Sequence, residues 1–375
     1  MYKKRYQDRI FAPGELARQL VAGLVGRGHE VTWFSAPEEP RGSTLVPGND
    51  ELLTKDLQIR VFQDIAPDMK GKMSLYGTKM YYELDLVSRA YETAQKEKID
   101  VIHNFHSFGY MAHFFQELTE IPTVYTFHDP IATDDMLERW LFDRFPTHKY
   151  ISISDRQRGE LGAHFLATVY NGIDVTKFSF NPAPGNGLIS VGRMIPDKGH
   201  DIAISVAKAL GMPLTIATWI TDNVKNSAYY KEKIVPFIDG KNIIVNSLMQ
   251  GQSLAETYQR AEALIFPLQW EEPFGLVMVE AMSCGTPVVA YNRGSVSEVI
   301  KDGVTGFVVD PDDKDRPGKG SWVIKKQGIE GLSEAVSRLS HIDRLLCRKH
   351  VEEHFTTDSM VAGYEATYQK LLSAK

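Results

Sequence analysis

Short apolar runs alternate with amphipathic stretches along nearly the whole chain. Leu16, Leu20, Val21, Leu24 and Val25 recur at the spacing of one helix face, and Gly28 ends that helix. Glu30–Phe34 follows as a strand, and Ile59–Phe62 is a further strand candidate. A long helical pattern runs from about Tyr76 to Lys96. Val101–Phe105 and Thr123–Phe127 are apolar runs of the buried-strand type, and Tyr150–Ile153 and Ala167–Tyr170 are weaker ones. Such alternation predicts parallel sheets covered by helices on both faces.

The pattern breaks at Asn181-Pro182-Ala183-Pro184-Gly185-Asn186-Gly187, a cluster with the chemistry of a linker. A fresh α/β series then begins at Leu188–Gly192. It continues through the strand candidates Leu214–Ala217, Ile243–Val245, Ala263–Phe266 and Thr286–Ala290. Asp310–Lys319 reads as a polar loop. Ile329–Leu339, Leu345–Glu353 and Ser359–Leu372 read as terminal helices. The expected division is an N-terminal domain over 1–180 and a C-terminal domain over 181–356. Each is doubly wound and Rossmann-like, and ligands of such sheets bind at the carboxyl ends of the strands.

The start of the chain departs from this pattern. Met1–Gly14 is mostly polar, with only Ile10-Phe11-Ala12 able to pair as a strand. The first strand of the N-terminal domain is therefore expected to be shortened or missing, as if the start were truncated.

Length and charge narrow the function. At 375 residues, two domains are the natural expectation. A net charge of −6 argues against a general nucleic-acid binder. No apolar run approaches the ~20 residues of a bilayer span, and no secretory h-region is visible. Cys284 and Cys347 are the two cysteines, which suggests a reduced, cytoplasmic setting.

The candidate chemistry gathers in the second half. Glu272 and Glu280 are separated by seven residues, with Pro273, Phe274 and Gly275 after the first. Proline favours a first helical turn, so a helix is expected to begin near Phe274 or Gly275, with Glu280 inside it and Gly285 ending it. The first amides of that helix then sit beside Glu272, a setting that suits a phosphorylated, hydroxyl-rich ligand. The bare spacing also fits two solvated surface carboxylates. Gly192-Arg193 follows a strand and Lys198-Gly199 precedes a helix, so two cations and a helix start could cradle a diphosphate. A pair of solvated loop cations is the plainer reading.

His128 ends the strand Thr123–Phe127 and could donate to a ligand hydroxyl, or make only a local bond to Asp129. His103 and His106 flank a neighbouring strand end, but no matching Cys or carboxylate spacing supports a metal site. Asp134-Asp135 reads as a helix start. Asn171-Gly172 reads as a turn with positive φ, and Glu298 as a cap or surface residue.

Together these motifs resemble the family-4 retaining glycosyltransferases (glycosyl transferases group 1) of the GT-B fold. The likeness covers nearly everything after about Leu16. It is most specific over Phe266–Val309, where Glu272-Pro273-Phe274-Gly275 through Glu280-Ala281-Met282 resembles the family's E-x7-E motif. The resemblance implies two Rossmann-like domains facing a cleft, with a last helix, about 357–375, returning to the first domain. It implies transfer of a sugar from a UDP- or GDP-linked donor to an unidentified acceptor, with retention at the anomeric carbon. Arg193 and Lys198 would neutralise the diphosphate, Glu272 would hold the sugar hydroxyls, and His128 would contact the sugar from the other side. Gly192 and the helix start at Phe274, Gly275, Leu276 and Val277 would line the donor, and Glu280 would bind the ribose. Gly14 stands where relatives carry a glycine-rich loop on the acceptor side. Acceptor contacts would come from loops around Asp64–Gly77 and Phe105–Tyr110.

No metal or other cofactor is required on this reading. The partners are the donor and acceptor alone, with room for peripheral membrane contact, and the state is a monomer or weak homodimer. The alternatives are another GT-B enzyme, such as a sugar phosphorylase or epimerase, and a catalytically impaired nucleotide-sugar binder.

Overall fold

Strands buried on both faces dictate a sheet with cover on both sides, and the described residues form three parallel sheets, of two, four and six strands. The computed structural model describes residues 12–35, 42–49, 51–54, 67–105, 110–130, 137–247, 252–312 and 320–373. The chain divides into two compact units. Unit 1 is Met1–Ile153, Arg158–Val169 and Met360–Lys375, and unit 2 is Ser154–Gln157 and Tyr170–Ser359. The Asn181–Gly187 segment lies wholly in unit 2. There Asn181 N–H donates to the Cys284 carbonyl (3.0 Å) and Asn186 N–H to that of Arg260 (2.8 Å).

In unit 1, helix α1 (Ala12–Gly26) buries Leu16, Ala17, Leu20, Val21 and Leu24, the face its periodicity predicts. Gly14 falls in its first turn. β1 (Thr32–Ser35) pairs in parallel with β2 (Thr44–Pro47). After helix α2 (Pro67–Glu97), β3 (Ile102–Asn104), β4 (Thr123–Thr126), β5 (Lys149–Ser152) and β6 (Phe165–Thr168) form a four-stranded parallel sheet in that order. Helices α3 (Ala112–Gln116) and α4 (Leu137–Arg144) lie between these strands in sequence. Pro67 opens α2, so the residues from 67 to 77 are helical where a loop was expected; proline's fixed φ suits a first helical position. Of the expected first strand, Ile10 and Phe11 lie outside the described residues, while Ala12 is the first residue of α1 and not part of a strand; the Ile59–Phe62 strand, His106 and Asp134-Asp135 also lie outside them.

Unit 1 is closed by the end of the chain. Tyr364 of the last helix (Thr357–Ser373) is fully buried, and Tyr368 Oη bonds to His103 Nδ1 at 2.6 Å. Arg27 and His29 both reach Glu365, at 2.9 and 2.7 Å. The core beneath is rich in aromatics, including Tyr91, Tyr125, Phe127, Phe142 and Tyr150.

Two histidines are buried in that core. His113 stacks on Tyr125 with centroids 3.9 Å apart, and its Nδ1 lies 2.8 Å from Nδ1 of His148. His148 Nε2 donates to the Glu117 carboxylate (3.0 Å), so its Nδ1 accepts and His113 Nδ1–H donates. Burial pushes His113 down to about 3, with His148 beside it adding to the effect, and pushes His103 down to about 3 as well. Glu117 and Arg144 are the charged groups that face His148 and act in opposite directions on it. The unfolded chain therefore binds protons near pH 6.5 that the folded chain refuses until far lower pH. Stability is full above about 6.5 and falls as pH is lowered towards 4. Calorimetry is expected to show a melting temperature level from pH 8 to 7 and declining below 6.5, with a shallower decline in His113→Phe. An equal slope in the variant would remove His113 from the explanation.

Unit 2 holds one six-stranded parallel sheet. Its strands are β7 (Leu188–Val191), β8 (Leu214–Thr218), β9 (Ile243–Ser247), β10 (Ala263–Phe266), β11 (Val288–Tyr291) and β12 (Gly306–Val309), in the order β12-β11-β10-β7-β8-β9. β7, β10, β11 and β12 are buried at every residue, as their largely apolar sequences favour, and the one polar side chain in β7, Ser190, is hydrogen-bonded to His200. The order places β7 and β10 side by side at the centre, so the loops leaving their carboxyl ends are neighbours.

Candidate functional site

β7 ends at Gly192, where a Cβ would lie 3.2 Å from Lys198 Cγ, so the missing side chain leaves a path for the lysine. The turn Pro196–Lys198 leads to Gly199 at φ 66, and the helix His200–Leu210 follows. Only glycine serves at 199: the φ is left-handed, and a Cβ would meet the Pro267 carbonyl oxygen at 2.1 Å. That close approach, with Gln269 N–H donating to the Asp197 carbonyl (2.8 Å), docks the loop after β10 onto the turn after β7.

The docking brings Lys198 and Glu272 together. Lys198 Nζ donates to Glu272 Oε2 at 2.6 Å, and the two side chains are 11% and 13% exposed. Trp270 Nε1–H donates to the same oxygen at 3.1 Å, and its ring lies 4.4 Å below the ammonium. Gly294 and Ser295 hold Glu272 from behind. Ser295 N–H donates to the Glu272 carbonyl at 2.9 Å, and a Cβ on Gly294 would lie 2.0 Å from that oxygen. Arg193 is exposed just past the end of β7, on the same loop as Lys198.

The carboxylate helix begins where the sequence predicts. Gly275 caps the helix Leu276–Ser283 at φ 79, and Gly285 closes it at φ 86. Phe274 is 2% exposed and packs against Tyr170 and Phe355, so its side chain belongs to the core and its backbone alone is left for a ligand. Leu276 and Val277 are half-buried in the first turn, whose amides have no carbonyl earlier in the helix. Glu280 is half-buried on the same helix, and Tyr258 donates its hydroxyl to Glu280 Oε2 at 2.9 Å. Burial raises the Glu280 carboxyl above its ordinary value, and the Tyr258 bond opposes that rise.

The structure thus gathers Gly192, Arg193, Lys198, Glu272, Phe274, Gly275, Leu276, Val277 and Glu280 within unit 2. His128 belongs to unit 1, at the end of β4, half-buried with its ring 4.6 Å from that of Phe105. His103 is committed elsewhere, its Nε2 bonding to Thr126 Oγ1 (2.8 Å) as its Nδ1 bonds to Tyr368. Two neighbours of the carboxylates escape a reading by motif. Trp270 stands two residues before Glu272 and could have been noticed. Tyr258 lies on the helix Gln252–Arg260, and nothing local ties it to Glu280.

Two other readings are refined. Glu298 does cap a helix, but not its own. Its carboxylate accepts the N–H groups of Asp155 and Arg156, both at 2.7 Å, and the Tyr170 hydroxyl at 3.2 Å. Gly172 serves close approach rather than a positive-φ turn: a Cβ there would lie 2.2 Å from the Thr356 carbonyl oxygen, and its φ is not left-handed. Among the described residues, no helix is long and apolar enough to cross a membrane, and no group of three His, Cys, Asp or Glu side chains is placed to hold a metal.

Comparison with known proteins bears on the family and the fold. The family model for Glycosyltransferase Family 4 matches residues 14–177, and that for Glycosyl transferases group 1 matches 176–320. An uncharacterized glycosyltransferase of Methanocaldococcus jannaschii, MJ1178, is 24% identical over 290 residues, 74% of this chain and 77% of its own length. A glycogen synthase of Mycobacterium tuberculosis is 25% identical over 345 residues, 80% of this chain and 79% of its own. The alignments span 46% of the length of two further relatives, from Bacillus subtilis and Klebsiella pneumoniae, so the chain matches under half of those proteins. Among solved structures, Anabaena HepE in complex with UDP-glucose superposes with a TM-score of 0.67 at 16% identity, covering 98% of this chain and 97% of that one. That likeness shows the fold, which is GT-B: two Rossmann-like domains, each built on parallel strands.

Proposed function

The chain belongs to the glycosyltransferases that these two family models describe, and from that premise we propose that it is a retaining enzyme. On this reading it moves a sugar from a UDP- or GDP-linked donor to an acceptor hydroxyl. One observation carries the donor assignment. A lysine and a glutamate from adjacent strand ends meet at 2.6 Å, the lysine on a βα loop that also bears Arg193. The complex of the related fold in Anabaena HepE with UDP-glucose supports a donor of this class.

Donor binding exchanges one ion pair for two sets of contacts. The diphosphate takes the Lys198 ammonium from Glu272, and Arg193 adds a fork that suits phosphate oxygens. The released Glu272 carboxylate then accepts from the sugar hydroxyls, while Trp270 keeps it oriented. Glu280 accepts from the ribose hydroxyls. As the bond from the anomeric carbon to the phosphate oxygen breaks, negative charge grows on the diphosphate. Lys198 and Arg193 stabilise that charge more strongly than they stabilise the ground state. The acceptor oxygen forms its new bond from the same face, and its proton passes to the departing phosphate oxygen.

The test is a panel of UDP- and GDP-linked sugars with acceptor mixtures, read by nucleoside diphosphate release and by proton NMR of the product anomer. One donor is expected to be consumed, with the anomeric configuration kept. Product of inverted configuration, or phosphate-dependent cleavage of a glycoside instead, would refute the proposal.

A further inference from the structure

Directly behind the two loop cations lies a histidine that touches no donor atom in the reading above. His200 is the first residue of the helix His200–Leu210, immediately after Gly199, and it is fully buried. Its Nε2 lies 3.1 Å from the Arg193 carbonyl oxygen, and its Nδ1 lies 2.8 Å from Ser190 Oγ. A carbonyl only accepts, so Nε2 carries the proton. Nδ1 must then accept from the Ser190 hydroxyl. Both ring nitrogens are satisfied in one tautomer, and that tautomer holds together three pieces of chain: β7 through Ser190, the turn after it through Arg193, and the helix start through its own backbone.

The Arg193 carbonyl receives a second bond from Ile195 N–H at 2.9 Å. Two donors hold this oxygen, the Arg193 residue is exposed, and the Lys198 side chain passes close to Gly192. The imidazole therefore closes the segment from Ser190 to His200 into a ring. Burial pushes His200 down to about 4, so near pH 7 it is neutral and keeps one donor and one acceptor, as its two partners require.

We propose that His200 is a positioning residue of the diphosphate cradle, acting through the backbone of Arg193. The proposal rests on the donor reading and adds a residue to it that contacts no ligand. A histidine kept only for packing would be replaceable by any side chain of like volume, whereas this role depends on which of the two hydrogen bonds survives.

Asparagine at 200 can still accept from Ser190 but is too short to reach the Arg193 carbonyl. Glutamine places its amide N–H near the position of Nε2. Calorimetric titration with UDP and with GDP is expected to show a Kd raised about tenfold in His200→Asn for the nucleotide that wild type binds, and raised less than about threefold in His200→Gln. In an Arg193→Ala background, His200→Asn should add less than about twofold, since its effect passes through Arg193. Ser190→Ala, which frees the ring but keeps its volume, should raise Kd about threefold in wild type and not in Arg193→Ala. It carries the same test should His200→Asn fail to fold.

Equal affinities in His200→Asn and wild type would overturn the proposal, as would equal losses in the Asn and Gln variants or full additivity with Arg193→Ala. If Arg193→Ala itself binds UDP and GDP as wild type does, the donor reading falls and takes this proposal with it. If Arg193→Ala weakens binding while His200→Asn and Ser190→Ala do not, the positioning role alone falls.

Discussion

Lys198→Ala and Glu272→Ala are each expected to lower the rate of nucleoside diphosphate release by about 10²–10³. The two losses have different causes. On the proposed reading Lys198 supplies charge where the leaving diphosphate gains it, so its removal acts on the transition state. On the same reading Glu272 fixes the sugar, and a sugar left to rotate spends little time in the reactive geometry. The fold should survive both changes. Trp270 still bonds to the remaining carboxylate in the first variant, and its ring still lies below the remaining ammonium in the second. Initial rates, with circular dichroism to confirm folding, decide the matter. A wild-type rate in either variant would remove that residue from the site.

The second large effect is expected at Glu280. Its carboxylate is proposed to meet the ribose, where a hydrogen bond to a charged acceptor is worth about 1.5–3 kcal/mol net of exchange with water. Glu280→Ala should therefore raise the donor KM by about tenfold to a hundredfold, with a smaller change in kcat. Tyr258 gives this claim a sharper form. Burial pushes the Glu280 carboxyl up, and the Tyr258 hydroxyl is what opposes it. Tyr258→Phe should move the carboxyl further up, so donor affinity fades at a higher pH as the medium is acidified. The acid limb of kcat/KM against pH is expected to shift upward in Tyr258→Phe and to disappear in Glu280→Ala. An unshifted limb would mean that the ionised Glu280 does not recognise the donor.

The site was legible where its chemistry is local in sequence. Pro273, Gly275 and Gly285 bracket a helix by backbone preference alone, and the structure caps it at those glycines. The Gly192-Arg193 and Lys198-Gly199 pairs sit at a strand end and a helix start because an apolar run and an amphipathic run flank them. What could not be read is what pairs across the sheet. The meeting of Lys198 with Glu272 depends on β7 lying beside β10, an order no linear pattern states. The bonds from Tyr258 to Glu280 and from His200 to Arg193 likewise arise from packing. Gly172 and Glu298 show the same limit: each has a local role that suffices on paper, while its real partner lies over 120 positions away in the sequence. Helix α2 began earlier than its apolar pattern because Pro67 set its start, a backbone effect that the hydrophobic period does not carry.

On the proposed reading Lys198 serves the diphosphate and Glu272 the sugar, although the two side chains are bonded to each other. Calorimetric titration of UDP and GDP into wild type, Lys198→Ala and Glu272→Ala separates these roles in one experiment, because the nucleotide carries the diphosphate without the sugar. One of the two nucleotides is expected to bind wild type, to bind Lys198→Ala at least about tenfold more weakly, and to bind Glu272→Ala several-fold more tightly, since that variant frees the lysine and removes a repelling charge. Equal affinity in wild type and Lys198→Ala, or a loss in Glu272→Ala matching that in Lys198→Ala, would contradict it.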